Sequence, residues 1–462
     1  MSLIKLFLKK LEGDNSSKRA LIEFKHLYNN YLLKQSHFLN WANIRPVSTV
    51  DHIKDQGVAT GCQPKEKDKT NLDQLAIIKL NGGLGTSMGC DGPKSLVEID
   101  SSHNFLDQII TDLQQLNDGY NTNVPLILMN SFHTEKKTFE YLHKKYNQTK
   151  SYPHIKLFKQ HRFPRIELDS GLPFECSESP DEEWSPAGHG NIFAALQSSG
   201  MLEELLSIGK KIAFISNIDN LGASVDPLIL NYFINNKFDF LIEVARKLPS
   251  DKKGGIVVNY NDQLMLLEHS QISDTHFHEF ENLNHSSFFN TNSIWINLVE
   301  LKKKLNNNTL NLPLIVNPKT INGIKVLQLE TAMGAAVSQF QHSGLLYVDR
   351  NRFLPVKTTA DLLLIRSDLF RLDSNGKFNL AKIRSFEQLP NIKWEKAYHQ
   401  INHFNQQFQS IPSLIDCQSL EIAGAVRIGN NVVFKGDVYL SSDQSDFLEN
   451  CTVLNRKIIK NK

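Results

Sequence analysis

The sequence lacks the features that mark secreted, membrane-spanning and nucleic-acid-binding proteins. Its five cysteines are scattered without a C-x-x-C pair, so neither a disulfide framework nor a zinc site is indicated, and we expect a reducing compartment, the cytoplasm. No apolar run approaches the roughly 20 residues of a membrane span. The formal net charge of +2 offers no basic excess for nucleic acid or a membrane surface, which leaves a small molecule as the expected ligand.

The N-terminus is a poor match to a signal peptide, and none is expected there, because Lys5 interrupts the apolar run and no small-residue cleavage site follows. Apolar residues recur at helical spacing between Leu21 and Leu32, which predicts a helical segment over residues 1–50. The chain of 462 residues is too long for a single core, so further domains are expected after this segment.

The middle of the chain alternates strand-like and helical stretches. Runs such as Lys211–Ile215 and Phe240–Val244 are continuously apolar, which is typical of a sheet covered on both faces, and therefore predict an α/β domain.

The tail differs, because between Ser419 and Leu440 apolar residues alternate with small or polar ones and glycines recur at short intervals. This pattern favours coils of a β-helix and leaves a meander of hairpins as the alternative.

A glycine-rich stretch from Leu80 to Ser95, LNGGLGTSMGCDGPKS, follows a predicted buried strand. Strand, glycine-rich turn and lysine is the layout of a phosphate-binding loop, since glycines let backbone N–H groups approach a polyphosphate and Lys94 adds a charge. Pro93 stands where a P-loop has its glycine, and Met88 stands where a dinucleotide fingerprint has its third glycine. These mismatches favour a nucleotidyltransferase, with a plain tight turn as the alternative.

Four other residues suit phosphate, base or sugar recognition. Asp219 follows a predicted strand, where ligands bind in open α/β sheets, and its carboxylate suits Mg²⁺; a turn-forming aspartate is the alternative. Gln160 carries an amide that can pair with a base edge. His189, between glycines, and Lys357, after Pro355, suit a sugar or a phosphate, and ordinary surface side chains are the alternative.

Together these segments resemble the eukaryotic-type UTP–glucose-1-phosphate uridylyltransferases, also called UDP-glucose pyrophosphorylases. The resemblance covers nearly the whole chain through nine motifs in order: the glycine-rich stretch, MNSF from Met129, QHRFPRI from Gln160, GHG from Gly188, SNIDNLGASVD from Ser216, KGG from Lys253, FNTNSIWINL from Phe289, LETAMGAA from Leu329 and RFLPVKTTADLL from Arg352. It implies a Rossmann-like, GT-A-like nucleotidyltransferase domain with a mixed sheet over residues 51–370. It also implies a C-terminal left-handed parallel β-helix over residues 371–462.

The resemblance further implies a role for each site residue. The catalytic residues are Lys94, Lys357 and Asp219, with Asp219 binding Mg²⁺ and the lysines contacting phosphates. The nucleotide is expected to contact these three and also Leu80, Asn81, Gly82, Gly83, Gln160, Gly188 and Asn217. The sugar phosphate is expected to contact His189, Asn217, Ile218, Asp219 and Asn292.

The chain departs from the family pattern at three places. Asn191 stands where the family usually has aspartate after GHG, Ala187 replaces a proline, and Ala245–Arg246 replaces threonine and aspartate.

The predicted reaction is the reversible, Mg²⁺-dependent transfer of a uridylyl group from UTP to glucose-1-phosphate, which gives UDP-glucose and pyrophosphate. The nearest alternative is the same chemistry on galactose-1-phosphate or N-acetylglucosamine-1-phosphate, and an inactive nucleotide-sugar-binding protein is another. An open strand edge at the end of the tail predicts that the chain forms a homo-oligomer through its C-terminal domain.

Overall fold

The structure is a computed structural model. It describes residues 3–14, 16–33, 39–47, 50–52, 66–146, 155–247, 254–268, 271–272, 274–286, 288–372, 378–381, 383–384, 386, 388–455 and 457–460.

The helices over these ranges are short and mostly amphipathic. They are α1 (Leu3–Gly13), α2 (Lys18–Leu32), α3 (Glu66–Leu72), α4 (Phe105–Tyr120), α5 (Glu135–Tyr146), α6 (Ile192–Ser198), α7 (Met201–Ser207), α8 (Pro227–Asn235), α9 (Phe277–Ser286), α10 (Leu298–Asn306), α11 (Thr359–Arg366) and α12 (Ile401–Gln407). Within the described ranges, none combines the length and apolar character needed to cross a membrane.

The strands fall into a large central sheet and several small ones. They are β1 (Ile44–Pro46), β2 (Asp51–His52), β3 (Leu75–Asn81), β4 (Leu126–Asn130), β5 (Ile155–Lys159), β6 (Arg162–Pro164), β7 (Ile166–Glu167), β8 (Trp184–Pro186), β9 (Ile212–Asn217), β10 (Phe240–Arg246), β11 (Ile256–Tyr260), β12 (Gln263–Leu267), β13 (Phe288–Asn297), β14 (Ile315–Ile321), β15 (Ile324–Glu330), β16 (Ser343–Tyr347), β17 (Phe370–Leu372), β18 (Phe378–Leu380), β19 (Asn391–Trp394), β20 (Cys417–Ile428), β21 (Val432–Leu448), β22 (Cys451–Leu454) and β23 (Lys457–Lys460).

The central sheet is mixed and confirms the predicted α/β class. Its main path runs β2-β16-β10-β13-β9-β3-β4-β5, and β11 links β1 and β12 to β13. Strands β3, β4, β5 and β9 are mutually parallel, whereas β13 lies antiparallel between β9 and β10. Since β3 is buried along its whole length, its apolar residues pack on both faces of the sheet, as a continuous run predicts.

One residue of β3 breaks this apolar pattern. Lys79 is 3% exposed, and its Nζ donates to Ser216 Oγ at 2.7 Å and to the Ala223 carbonyl at 2.6 Å. Burial lowers the pKa of Lys79 to about 8. Its two acceptors lie on either side of Asp219 in the chain, so this buried cation fixes the turn that follows β9.

Helices α1 and α2 occupy the predicted N-terminal helical segment and pack on the central domain. Phe7, Phe24 and Tyr28 form one hydrophobic cluster with Phe163 and Trp184. The helices are thus part of the folded body that supports the site.

The C-terminal strands are parallel. β20 pairs with β19 and β21, and β21 pairs with β22 and β23. Apolar residues of these strands, among them Leu420 and Phe434, share a core with Met88 of the glycine-rich stretch and with Leu354 and Val356. The tail is therefore packed directly behind two segments of the predicted site.

Candidate active site

Two groups of predicted site residues, Leu80–Gly83 and Asn217–Asp219, lie at the carboxyl ends of β3 and β9. These neighbouring strands are parallel, and Leu80 is the register partner of Asn217. The loops that follow both strands therefore leave the sheet at the same edge, which is where ligands bind in open α/β sheets. The Ile218 N–H donates to the Leu80 carbonyl at 3.3 Å and closes this edge.

The start of the glycine-rich loop is packed against Gln160. A Cβ on Gly82 would lie 2.4 Å from Gln160 Nε2, so no larger residue fits there without displacing the amide. Gln160 is 6% exposed, and its amide has no hydrogen-bond partner among the described residues. The Gln160 amide can both accept and donate a hydrogen bond, and it lies directly beside the glycine-rich loop. This arrangement suits recognition of a base edge.

The side chains of Leu80 and Asn81 have structural roles. Leu80 is 8% exposed in the core, and Asn81 Nδ2 donates to Asn130 Oδ1 at 2.7 Å and to Thr138 Oγ1 at 3.0 Å. Any ligand contact from Leu80 to Gly83 is therefore a backbone contact. A Cβ on Gly83 would meet nothing within 4 Å, which leaves open space beside the loop.

Lys94 and Asp219 form an ion pair that their positions in sequence do not predict. Lys94 Nζ lies 2.6 Å from Asp219 Oδ2, and the Lys94 N–H donates to the Gly83 carbonyl at 3.2 Å. The pair links the glycine-rich loop to the turn after β9. The second carboxylate oxygen, Asp219 Oδ1, is buried and has no hydrogen-bond partner within the part of the chain that the structure describes.

The unpartnered Asp219 Oδ1 shows whether this carboxylate could hold a divalent cation. A buried carboxylate oxygen needs a cation or a donor, and Mg²⁺ is commonly held by one or two carboxylates together with phosphate oxygens and water. Among the described residues, no group of three or more histidine, cysteine, aspartate or glutamate side chains surrounds a metal position. Asp219 thus fits a cation whose other ligands come from a polyphosphate and water.

Lys357 lies on a segment that is joined to the same turn. The Val356 N–H donates to the Asp219 carbonyl at 2.9 Å. The Lys357 N–H donates to Asp361 Oδ2 at 2.9 Å, and Asp361 also takes part in the capping box that begins α11 at Thr358. The backbone of Lys357 is therefore fixed, while the residue is exposed and its charge acts on His189.

His189 is held in one tautomer. The Met333 N–H donates to His189 Nδ1 at 3.1 Å, so Nε2 carries the ring proton of the neutral form. Burial, with a further contribution from the charge of Lys357, lowers the pKa of His189 to about 4. His189 is therefore a neutral ring that is held by the Met333 backbone and feels the charge of Lys357.

The backbone around His189 requires glycine. Gly188 has a φ of +81°, and a Cβ there would lie 2.8 Å from the Thr331 carbonyl oxygen. The Gly190 N–H donates to the same oxygen at 2.8 Å. The loop is thus pressed against the end of β15, which sets the position of the imidazole.

Asn217 and Asn292 form a second polar pair. Asn292 Nδ2 donates to Asn217 Oδ1 at 2.9 Å, and Asn292 has a φ of +58°. Asn292 Oδ1 is buried without a partner among the described residues. Ile218, by contrast, is 3% exposed with its side chain in the core, so only its backbone is left for a ligand.

Glu268 is a buried carboxyl that the sequence analysis did not single out. Burial raises the pKa of this carboxyl, which has no ion-pair or hydrogen-bond partner among the described residues. A Cβ on Gly255 would lie 2.8 Å from Glu268 Oε1, and the Gly255 carbonyl accepts from the Asn290 N–H at 3.2 Å. A glutamate that ends the apolar run QLMLLE was the only sequence signal, and that signal is weak.

Asn191, Ala187 and Ala245, which depart from the family pattern, have packing roles, whereas Arg246 is exposed. Asn191 Nδ2 donates to Glu23 Oε2 at 2.6 Å and its Oδ1 accepts from the His161 N–H at 2.8 Å, which ties α2 to the central domain. Ala187 is buried in the cluster that holds α1 and α2, and Ala245 is buried against Phe289 and Phe353. Lys253 of the KGG motif lies outside the described residues.

Comparisons with known proteins agree with this geometry. The family model described as UTP--glucose-1-phosphate uridylyltransferase matches residues 21–435. A protein of that name from Musa acuminata is 39% identical over 439 residues, covering 94% of this chain and 93% of its own length. The Solanum tuberosum protein of the same name is 40% identical over 428 residues, covering 92% and 89%.

Solved structures show the same likeness. A UDP-glucose pyrophosphorylase variant from Leishmania major in complex with UDP-glucose superposes with a TM-score of 0.87 at 31% identity and covers 99% of each chain. A Trypanosoma brucei structure described as a UDP-glucose phosphorylase gives a TM-score of 0.85 at 34% identity, covering 99% of this chain and 100% of the other. The chain therefore belongs to the UTP–glucose-1-phosphate uridylyltransferase family and is a nucleotidyltransferase.

Proposed function

We propose that this chain transfers a uridylyl group from UTP to glucose-1-phosphate and forms UDP-glucose and pyrophosphate in a reversible reaction. The observation that carries the proposal is the convergence of Lys94, Asp219 and Lys357, two cations and a carboxylate, beside an open glycine-rich loop. Such a site holds two polyanions together, which is the main electrostatic demand of the reaction.

The chemistry needs no strong general base. A phosphate monoester is already ionised at neutral pH, so an oxygen of glucose-1-phosphate attacks the α-phosphorus of UTP as pyrophosphate leaves on the opposite side. Lys94 and Lys357 offset the negative charge of the reacting phosphates. Lys94 Nζ is held in place by Asp219, and the anchored backbone of Lys357 keeps its side chain within reach of the same phosphates, which favours holding the reactants in line.

Mg²⁺ is part of the proposal and would be held by Asp219. When bound, it would neutralise phosphate charge and draw the polyphosphate into one conformation. The ion pair with Lys94 occupies Asp219 Oδ2 and leaves Oδ1 for the cation.

Base and sugar recognition follow from the unpartnered polar groups. Gln160 and the backbone of Gly82 and Gly83 are proposed to hydrogen-bond uracil. Neutral His189, Asn292 Oδ1 and the Glu268 carboxylate are proposed to bind glucose hydroxyls, because each is buried or held near the site without a full set of partners. A hydroxyl donates well to a carboxylate that burial has left without a cation.

A panel of substrates tests this proposal and separates it from its alternatives. Pyrophosphate release is measured with UTP or ATP against glucose-1-phosphate, galactose-1-phosphate and N-acetylglucosamine-1-phosphate, over a range of Mg²⁺ concentrations. The highest kcat/KM is expected for UTP with glucose-1-phosphate, with no turnover without a divalent cation. A higher kcat/KM for another sugar phosphate would show that this sugar phosphate, not glucose-1-phosphate, is the acceptor. No pyrophosphate release with any pair of substrates would favour an inactive nucleotide-sugar-binding protein.

We also propose that the C-terminal strands form a short left-handed β-helix. Support comes from their parallel pairing, with Ser419 opposite Asp437 and Tyr439 opposite Lys457, so that each partner lies one coil further along the chain. Positive φ angles at Gly424 and Gly436 place tight bends between the strand segments.

A further inference from the structure

Two segments far apart in sequence carry the proposed metal ligand and one phosphate-binding lysine. Asp219 lies in the turn after β9, and Lys357 lies before α11. Backbone hydrogen bonds join the two segments: the Val356 N–H donates to the Asp219 carbonyl at 2.9 Å, and the Leu221 N–H donates to the Leu354 carbonyl at 3.2 Å. These bonds flank an isolated antiparallel bridge between Asn220 and Pro355.

The side chain of Asn220 completes this connection. Asn220 is 1% exposed, and its Oδ1 accepts from the Leu354 N–H at 2.8 Å and from the Gly222 N–H at 3.2 Å. Its Nδ2 donates to the Arg352 carbonyl at 3.3 Å. One amide therefore bonds to backbone groups of both segments, and it uses its donor and its acceptor to do so.

The surroundings hold both segments rigidly against this amide. Arg352 Nε and Nη2 donate to the buried Glu243 at 3.0 and 2.8 Å, and Nη2 also donates to the Ser224 carbonyl at 2.9 Å. A Cβ on Gly222 would lie 2.3 Å from the Asn351 carbonyl oxygen, so the segments touch at van der Waals distance. Small displacements are resisted because close-packed groups lie on every side.

We infer that Asn220 is a positioning residue that sets the distance between the carboxylate of Asp219 and the ammonium group of Lys357. The inference rests on the proposed function, in which these two groups serve the same phosphates. Asparagine is required because only an amide both accepts from the Leu354 N–H and donates to the Arg352 carbonyl from one planar group. Aspartate keeps the acceptor, loses the donor and places a negative charge against a carbonyl oxygen.

The test compares Asn220→Asp and Asn220→Ala with a matched control, Asn117→Ala. Asn117 also bonds to backbone through both ends of its amide, since Oδ1 accepts from the Val124 N–H at 2.8 Å and Nδ2 donates to the Val124 carbonyl at 3.1 Å. Asn117 lies on α4, and its partner Val124 comes just before the amino end of β4, whereas the candidate site lies at the carboxyl ends of β3 and β9. The variants are compared by thermal unfolding, by kcat and KM for each substrate, and by Mn²⁺ binding in the presence of UTP, followed by electron paramagnetic resonance.

Both Asn220 variants are expected to lower kcat by ten- to a hundredfold, the order of loss that a misplacement of about 1 Å causes. They should also weaken Mn²⁺ binding at least threefold and change the KM for glucose-1-phosphate by less than twofold. Asn117→Ala should lower the melting temperature yet keep kcat and Mn²⁺ affinity within twofold of wild type. If Asn220→Ala does not fold, Asn220→Asp, which keeps both accepted bonds, provides the test.

The outcomes separate this inference from the proposed function. Wild-type protein that forms no UDP-glucose would overturn the proposed function, and the Mn²⁺ measurement would still report on Asn220. An active wild type with Asn220→Asp at unchanged kcat and Mn²⁺ affinity would overturn the positioning role. Equal losses in Asn220→Ala and Asn117→Ala would show that Asn220 contributes only stability.

Discussion

Lys357 combines an exposed side chain with a fixed backbone. The Asp361 carboxylate accepts from the Lys357 N–H, and Ser87 Oγ donates to the Lys357 carbonyl at 2.8 Å. Changing Lys357 to Ala should lower turnover by on the order of a hundredfold, the usual effect of removing one preorganised transition-state contact. Lys435→Ala, which removes a surface lysine of the C-terminal strands, is the control for a change in net charge. Near-normal turnover of a folded Lys357→Ala protein would refute the assigned role.

His189 makes stability depend on pH. Its pKa is lowered to about 4 by burial and by the charge of Lys357, whereas an unfolded histidine titrates near 6.5. Between these values the unfolded chain binds more protons, so the stability that neutral His189 contributes is complete above about pH 6.5 and is lost as pH falls towards 4.

Denaturant unfolding at several pH values checks this expectation. His189→Gln should reduce the slope of unfolding free energy against pH between about 4 and 6.5 by up to ~1.4 kcal/mol per pH unit. Identical slopes for wild type and His189→Gln would mean that the imidazole titrates normally in the folded protein.

At the residue scale, the sequence predicted which side chains belong to the site but not which of them form hydrogen bonds or ion pairs with each other. Asp219, Lys94 and Lys357 were predicted together through their motifs, yet the ion pair between Lys94 and Asp219 depends on the distance between two loops. Local sequence does not encode that distance. Glu268 was missed for the same reason, since its environment comes from Gly255 and from the surrounding fold.

The glycine-rich loop gives the clearest prediction at the scale of an element. Gly82→Ala places a Cβ 2.4 Å from Gln160 Nε2 and must displace the amide proposed to read uracil. The KM for UTP should rise by on the order of tenfold, which corresponds to about 1.4 kcal/mol, and preference over ATP should fall. Gly92→Ala in the same loop, where a Cβ would approach only the flexible Lys137 side chain at 3.3 Å, should behave as wild type. Equal effects of both changes would argue against the role of Gln160.

Periodicity predicted the elements better than their arrangement. The apolar runs at Lys211–Ile215 and Phe240–Val244 correspond to β9 and β10, and the strand before the glycine-rich loop is β3. The antiparallel insertion of β13 between β9 and β10 was not predicted, because a local apolar pattern carries no information about strand direction or neighbours. Lys79 was hidden in an apolar run, since its partners come from another strand and a distant turn.

Association is the prediction that concerns the whole molecule. We expect the full-length chain to form oligomers through the open edge of its C-terminal strands, because unpaired backbone groups at a strand edge favour pairing with another chain. Light scattering at micromolar concentration measures the mass of the particle. Deleting the residues from Gly424 onward should reduce the number of chains in each particle.

This deletion also uncovers core residues, so it needs a control for lost stability. Phe434 is fully buried in the core shared with Leu354 and Val356, and Phe434→Ala should cost about 3–5 kcal/mol without changing the strand edge. Its oligomer size should match wild type. A monomeric full-length chain would show that the tail serves only to cover apolar surface of the catalytic domain.

The central claim is that the site joins UTP and glucose-1-phosphate in one reversible step, and ³¹P nuclear magnetic resonance of a single reaction tests it most directly. With Mg²⁺, the signals of both substrates should fall together while UDP-glucose and pyrophosphate appear in equal amounts. UDP-glucose and pyrophosphate alone should regenerate the substrates and reach the same mixture. The account would be contradicted if UTP were consumed while glucose-1-phosphate remained, or if folded protein left the substrate signals unchanged.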